Sequence, residues 1–223
     1  MGLIASQLRL YLVTDPGLCA AHGVVATVRE AVHGGVTMVQ LRDKDATPAA
    51  RAELGRALLA ALAGTGVPLV INDDLDAAVA IGAHGVHVGQ SDLSPHYVRE
   101  RLGPDAIVGL SCETVAHAAA ADPSVLDYVG IGPVFATSTK PDHAPAMELD
   151  GLAAARAATT LPAVAIGGIQ DANLARVLAT GVDGVAVVSA ICGQPDVRAA
   201  AAALAAAIPH RHISMSAPTM VRS

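Results

Sequence analysis

Aromatic side chains and charges are both scarce in this chain. Of 223 residues, 2% are aromatic, with one Phe and no Trp, and 15% are charged. So few aromatics exclude the stacking platforms that bind single-stranded nucleic acid. The formal net charge of −6 removes the electrostatic attraction on which non-specific DNA or RNA binding depends. We therefore expect no nucleic-acid partner, and a local site must hold any anionic ligand.

Long apolar runs and paired cysteines are missing too. No apolar run reaches the roughly 20 residues of a membrane helix, and the N-terminus lacks the basic and apolar regions of a signal peptide. The three cysteines, Cys19, Cys112 and Cys192, have no metal-ligand spacing. We interpret them as reduced thiols of a cytoplasmic protein with no membrane partner.

Short β-rich runs alternate with Ala-rich amphipathic segments along the chain. Eight of these runs contain few polar residues, which is typical of parallel strands buried on both faces. Their predicted bounds are Leu10–Thr14, Thr37–Arg42, Leu69–Asn72, Gly85–Val88, Ile107–Ser111, Tyr128–Val134, Ala163–Ile166 and Gly184–Val188. Eight strand–helix units predict an α/β fold, a closed (β/α)₈ TIM barrel. We expect one catalytic domain over residues 1–208 and a disordered tail over 209–223.

A weak internal repeat supports the barrel. Gly35, Gly82 and Gly181 each follow an Ala-containing segment and precede a buried strand, so each is predicted to adopt a positive φ. Polar residues follow these strands directly, and barrel active sites lie at the C-terminal strand ends. Further helices are predicted at Ala49–Leu62, Asp74–Ala80 and Asn173–Thr180, and helix starts are marked by Thr47, Ser94 and Asp171.

The end of strand 2 carries an amide and two cations, Gln40-Leu41-Arg42-Asp43-Lys44. Alternation places Gln40 and Arg42 on one face, directed towards the barrel mouth. Arg and Lys at one rim suit a phosphate or diphosphate, although an exposed charged turn is the alternative.

Strands 3 and 4 end in carboxylates, Asp73 and Asp92. A single Asp at such a position is more often a helix cap, and we expect Asp73 or Asp74 to cap the next helix. Two carboxylates on adjacent strand ends, facing a pair of cations, predict a Mg²⁺ site.

The later strand ends supply further polar groups. Ser111 has no evident His or Asp partner, so we predict ligand binding rather than nucleophilic attack. Thr137-Ser138-Thr139-Lys140 forms a donor-rich loop, and Gly168 and Ser189 stand where barrels often bind phosphate. No histidine is identifiable as a base, and no transition-metal site is expected.

Taken together, these segments resemble the thiamine phosphate synthase family from about residue 8 to about residue 208. The motifs that carry the resemblance are Tyr11-Leu-Val-Thr-Asp15, Gln40-Leu-Arg-Asp-Lys44, Ile71-Asn-Asp-Asp74, Gly85-Val-His-Val-Gly-Gln-Ser-Asp92, Gly132-Pro-Val-Phe-Ala-Thr-Ser-Thr-Lys140 and Ala165-Ile-Gly-Gly-Ile169. Many members have Glu where this chain has Asp43. The resemblance implies an enzyme that joins a pyrimidine diphosphate to a thiazole phosphate with Mg²⁺.

The resemblance also implies which residues do this. The pyrimidine diphosphate would be bound by Gln40, Leu41, Arg42, Asp43, Lys44, Asn72, Ser111 and Lys140. The thiazole phosphate would be bound by Thr137, Ser138, Thr139, Gly168, Val188 and Ser189. Asp73 and Asp92 match the Mg²⁺ ligands, and Arg42, Lys44, Ser111 and Lys140 are the predicted catalytic residues.

Three alternatives remain open from the sequence. A thiazole tautomerase would keep the phosphate site without needing both carboxylates. A sugar-phosphate epimerase would need His and acid pairs at strand ends, which are not found. A non-catalytic protein that binds thiamine precursors could keep every motif. A homo-oligomer is also left open.

Overall fold

Eight parallel strands close into a barrel in sequence order, with the last paired to the first. The computed structural model describes residues 5–137 and 144–209. The strands are β1 (Leu10–Val13), β2 (Met38–Leu41), β3 (Leu69–Asn72), β4 (Gly85–Val88), β5 (Ile107–Cys112), β6 (Tyr128–Ile131), β7 (Ala163–Ile166) and β8 (Gly184–Val187). The helices are α1 (Val24–His33), α2 (Pro48–Leu62), α3 (Leu75–Ile81), α4 (Pro95–Leu102), α5 (Val115–Ala120), α6 (Glu148–Ala157), α7 (Asp171–Leu178) and α8 (Val197–Ala207). The predicted TIM barrel is confirmed.

Strand 6 is the one strand whose predicted end is wrong by more than a residue. It ends at Ile131 and not at Val134, because Pro133 has no N–H to donate to the ladder. The predicted tail lies outside the described residues from position 210 onward. None of the described helices has the length and apolar character that a membrane span requires.

The helix signals largely hold. Thr47 and Ser94 cap α2 and α4 by accepting N–H bonds at 3.3 Å, and Asp74 caps α3 at 2.8 Å. Helix α7 differs from the prediction, since Asp171 is its first residue and Gln170 is the cap. The three repeat glycines adopt the predicted positive φ, at 105° for Gly35, 68° for Gly82 and 93° for Gly181.

Alternation along the strands divides the core into two layers. Side chains between the strands and the helices form the larger layer, to which Val86 and Val88 of β4 belong. A smaller layer fills the barrel interior and consists of Leu8, Tyr11, Val13, Met38, Val70, Ile107, Tyr128, Val164 and Ala186. The interior is therefore packed, and the space for ligands lies above it.

Two arginines tie together the loops at the amino-terminal end of the barrel, which we call the floor. Arg99 Nη2 donates to Asp127 Oδ2 at 2.6 Å, and its other nitrogens donate to four backbone carbonyls. The same Asp127 oxygen accepts the N–H of Val108 in β5 at 2.7 Å. Arg156 pairs with Asp183 in a similar way, at 3.4 Å. The floor is thus closed by paired charges.

Candidate active site

The carboxyl ends of the strands surround a cavity of about 510 Å³. The predicted site residues that line it come from seven of the eight strands or the loops after them. They are Gln40, Arg42, Lys44, Asn72, Asp73, Asp92, Ser111, Thr137, Gly168, Val188 and Ser189. Residues far apart in the sequence thus share one mouth.

The remaining predicted residues lie elsewhere. The Leu41 side chain is fully buried between the barrel and the helices, so that only its backbone is available to a ligand. Asp43 lines a neighbouring cavity of about 450 Å³ together with Asp73 and Asp74. Ser138, Thr139 and Lys140 lie outside the described residues.

Asp73 and Asp92 come into direct contact across the ends of β3 and β4. Burial, followed by the hydrogen bond and negative charge of Asp92, raises the pKa of Asp73 to about 6. Asn72 Nδ2 donates to Asp73 Oδ2 at 2.6 Å, and the N–H of Gly89 donates to Asp92 Oδ2 at 2.7 Å. The backbone at Asp73 has a φ of 59°, a conformation that Asp tolerates better than most residues. The fold therefore holds two like charges together.

This pair has the chemistry of a hard-cation site. A divalent cation held by these two carboxylates would offset the repulsion that, after burial, contributes to the raised pKa of Asp73. Within residues 5–137 and 144–209, no three His, Cys, Asp or Glu side chains group as a metal site. The protein would thus supply two carboxylates and leave positions for phosphate oxygens and water, as Mg²⁺ prefers.

Beside the carboxylate pair, and not across the mouth from it, the loop after β2 presents Arg42 and Lys44 to the cavity, because β2 is the neighbour of β3. The buried Thr14 fixes where this loop begins, because its Oγ1 accepts the N–H of Arg42 at 3.0 Å. Asp43 Oδ1 accepts the N–H groups of Asp45 and Ala46 at 3.2 and 3.0 Å and so closes a turn. The two cations are therefore presented by an ordered loop.

A chain of hydrogen bonds runs beneath the cavity across the barrel. Gln40 Nε2 donates to Tyr11 Oη at 2.6 Å, and Tyr11 Oη lies 2.9 Å from Tyr128 Oη. Tyr128 Oη lies 2.8 Å from His87 Nδ1, and His87 Nε2 lies 2.9 Å from Ser111 Oγ. All five residues line the cavity or pack beneath it.

The donor at one end sets the direction of the whole chain. An amide nitrogen can only donate, so Tyr11 accepts from Gln40, and the arrangement that gives every hydroxyl hydrogen of this chain an acceptor is the one in which Tyr11 donates to Tyr128. Tyr128 then donates to His87 Nδ1, which leaves the Nε2 hydrogen of His87 for Ser111. Burial lowers the pKa of His87 to about 4, and the neutral ring that results fits this arrangement. Ser111 is left with its hydroxyl hydrogen for a ligand.

The expectation that Ser111 has no histidine partner was therefore wrong. Even so, His87 donates to Ser111 and does not take its proton, so the predicted binding role is consistent with the geometry. The available signal was the alternation in strand 4, which places His87 on the inward face. Gly109 makes the approach possible, since a Cβ there would lie 2.2 Å from the Tyr128 ring and 2.5 Å from His87 Nδ1.

The loops after β6, β7 and β8 meet at the opposite wall. Gly168 has a φ of 64°, and a Cβ on it would lie 2.8 Å from the carbonyl oxygen of Ala136 and from Phe135 Cβ. The loop that leads to Thr137 thus packs directly on Gly168. After β8, Gln194 Nε2 donates to the carbonyl of Ser189 at 2.8 Å and holds that turn.

The fold and site define the class: a TIM-barrel protein whose mouth joins a carboxylate pair, a cationic loop and a glycine-lined wall. A family model described as thiamine monophosphate synthase matches residues 10–191. The chain belongs to this family. Curated relatives named thiamine-phosphate synthase agree. The relative from Xanthobacter autotrophicus is 54% identical over 91% of this chain and 96% of its own length. The relative from Azorhizobium caulinodans is 50% identical over 89% of this chain and 93% of its own length.

A solved structure supports the fold independently. Thiamine phosphate pyrophosphorylase from Pyrococcus furiosus is 36% identical to this chain and superposes with a TM-score of 0.81. The match covers 90% of this chain and 95% of that one. Because both lengths are nearly covered, the resemblance extends over the whole barrel.

Proposed function

We propose that this chain joins 4-amino-2-methyl-5-(diphosphooxymethyl)pyrimidine to 4-methyl-5-(2-phosphooxyethyl)thiazole, giving thiamine phosphate and diphosphate. Family membership supports the reaction. The observation that carries the assignment of the site is a cavity in which a carboxylate pair lies beside a cationic loop, with a separate glycine-lined wall opposite them. Such a mouth can hold two anionic substrates side by side.

The diphosphate belongs on the side of Arg42 and Lys44. As the C–O bond breaks, negative charge grows on the diphosphate, and fixed cations stabilise that charge more than the charge of the bound substrate. Asn72 lies beside them, and Lys140, outside the described residues, is assigned here from the family resemblance alone. These roles need no strong base.

Asp73 and Asp92 are the residues that would hold Mg²⁺. When bound, the ion would supply Lewis-acid stabilisation of the diphosphate. The raised pKa of Asp73 means that cation binding must displace a proton from Asp73 at mildly acidic pH. The cytoplasmic location expected from the cysteines stays a prediction.

Ser111 is placed to orient the pyrimidine. The series of hydrogen bonds from Gln40 to His87 leaves the Ser111 hydroxyl as a donor. Such a donor suits a ring nitrogen or another acceptor of the pyrimidine substrate. When the pyrimidine C–O bond has broken, the methylene cation is captured by the lone pair of the thiazole nitrogen. Holding the two substrates face to face supplies the orientation that this step requires.

The thiazole phosphate belongs on the opposite wall. Gly168 lets the backbone approach an anion, and Ser189 adds a hydroxyl at the position where barrels commonly bind phosphate. Thr137 lines the same part of the cavity. A thiazole tautomerase would use this wall alone, so the carboxylate pair and the cationic loop favour the synthase.

The proposal is tested by incubating the purified chain with both substrates and Mg²⁺ and measuring thiamine phosphate by fluorescence after oxidation. We expect one diphosphate for each thiamine phosphate, and no product when either substrate is omitted. Release of diphosphate without thiamine phosphate, or no turnover at all, would contradict the assignment.

A further inference from the structure

Arg51, on the first turns of α2, lies behind the cationic loop and outside the lining of the main cavity. Its side chain is only 15% exposed. A guanidinium so nearly buried needs bonds that compensate the cost of its desolvation.

Arg51 makes those bonds to both halves of the site. Its Nε and Nη2 donate to the carbonyl of Asp43 at 3.2 and 2.9 Å, and Nη2 also donates to the carbonyl of Ala46 at 3.0 Å. These two carbonyls bracket the loop that carries Lys44. On the other side, Nη1 pairs with Asp74 Oδ2. One guanidinium therefore holds the cationic loop and the residue after Asp73.

Asp74 transmits this contact to the carboxylate pair. Its Oδ1 caps α3 by accepting the N–H of Ala77 at 2.8 Å, so its position is fixed. The preceding Asp73 donates its N–H to the carbonyl of His87 at 2.9 Å and adopts a positive φ. Movement of Asp74 would therefore change the direction of the Asp73 carboxylate.

We propose that Arg51 is a positioning residue that sets the distance between the cationic loop and the carboxylate pair, so that both engage one diphosphate. The inference rests on the proposed function. Arg51 lines the smaller neighbouring cavity but not the main one, and it acts through the planar fork of five donors that a lysine cannot reproduce.

Arg99 on the floor is a matched control. It makes the same pattern of bonds, to Asp127 and to carbonyls before β5 and β6, and its side chain is 17% exposed. Arg51→Lys and Arg99→Lys should therefore lose similar stability. Only Arg51→Lys should also weaken the joint binding of metal and diphosphate.

The test is calorimetry of inorganic pyrophosphate with and without Mg²⁺, together with the Mg²⁺ concentration for half-maximal turnover. In Arg51→Lys we expect two quantities to rise by about tenfold, the lower range for groups that orient metal ligands. They are the dissociation constant of pyrophosphate in the presence of Mg²⁺ and the Mg²⁺ concentration for half-maximal turnover. Arg99→Lys should match wild type in both. Asp74→Asn, which keeps a cap but loses the charge pair, should reproduce the defect in milder form, and the double variant should be less than additive.

Three outcomes decide the matter. Mg²⁺-dependent pyrophosphate binding that is unchanged in Arg51→Lys and in Asp74→Asn overturns the positioning role and leaves the proposed function standing. An equal defect in Arg99→Lys overturns it as well, because general loosening would then explain the loss. A wild-type chain without Mg²⁺-dependent pyrophosphate binding overturns both the positioning role and the proposed metal site.

Discussion

The two ends of this barrel use the same residue types in opposite ways. On the floor, Asp127 and Asp183 each lie against an arginine and accept a backbone N–H. At the mouth, Asp73 and Asp92 lie against each other, and the pKa of Asp73 rises to about 6. The floor compensates its charges, whereas the mouth leaves like charges in contact.

This difference between the two ends of the barrel indicates that the floor residues serve stability and the mouth residues serve function. A carboxylate paired with arginine contributes to the folded state, while two adjacent carboxylates oppose folding until a ligand compensates them. Uncompensated charge in a cleft is the common signature of a functional site. Substitutions at the floor should therefore change stability, and those at the mouth should change binding and turnover.

The largest effect is expected for Asp92→Asn. Loss of this charge should reduce turnover on the order of 10²-fold or more, the scale of losing a major charge-stabilising group. Circular dichroism should show an intact fold. The control is Asp183→Asn, which should keep wild-type turnover per folded molecule. If the turnover of Asp92→Asn at limiting Mg²⁺ stayed within a few-fold of wild type, the carboxylate pair would have no part in the mechanism.

Asp127→Asn reverses that pattern. The substitution weakens the bonds from Arg99 and Val108, which should lower the free energy of unfolding by about 2 kcal/mol. Chemical denaturation measures the loss. Steady-state kinetics below the transition should be unchanged, and a large fall in kcat would show that floor and mouth are not separable.

Two glycines of positive φ distinguish ligand approach from backbone strain. A Cβ at Gly168 would meet Ala136 O at 2.8 Å, whereas a Cβ at Gly181 meets nothing within 4 Å. Gly181→Ala should cost only about 1 kcal/mol of stability from the φ strain. Gly168→Ala should also raise the KM for the thiazole phosphate by about tenfold, which corresponds to 1.4 kcal/mol.

The KM for the pyrimidine diphosphate is the internal reference for Gly168→Ala. It should remain within a factor of about two, since the two anions are proposed to bind at opposite walls. An equal increase in the KM of both substrates would contradict the assignment of the two anions to opposite walls.

The smallest effect concerns pH and Asp73→Asn. Because the pKa of Asp73 rises from 3.8 to about 6 on folding, its ionisation lowers stability as pH rises through that interval. Asn cannot ionise and tolerates the positive φ. At about pH 8 without metal, Asp73→Asn should be more stable than wild type by on the order of 1 kcal/mol, after allowance for solvent screening.

Well below pH 3.8 this difference should vanish, because Asp73 is then protonated in both the folded and unfolded chain. Thermal unfolding across the interval gives the comparison. A variant that is less stable than wild type throughout would show that the carboxyl stabilises the fold.

Strand ends were predictable from the sequence because polar residues follow buried runs there, as at Arg42 and Asp92. The buried series of hydrogen bonds from Gln40 to Ser111 was not predictable. Its two tyrosines are 117 positions apart, and their contact depends on strands that face each other only when the barrel closes. Gly109 leaves the space for that contact by lacking a side chain, which composition does not reveal.

In the proposed mechanism, one mouth holds a divalent cation and two anions at separate walls. A crystal structure with Mn²⁺ in place of Mg²⁺, pyrophosphate and the thiazole phosphate tests it most directly. We expect an anomalous peak at Asp73 and Asp92, pyrophosphate against Arg42 and Lys44, and the thiazole phosphate at Gly168 and Ser189. An ion bound away from both carboxylates, or both anions on one wall, would contradict it.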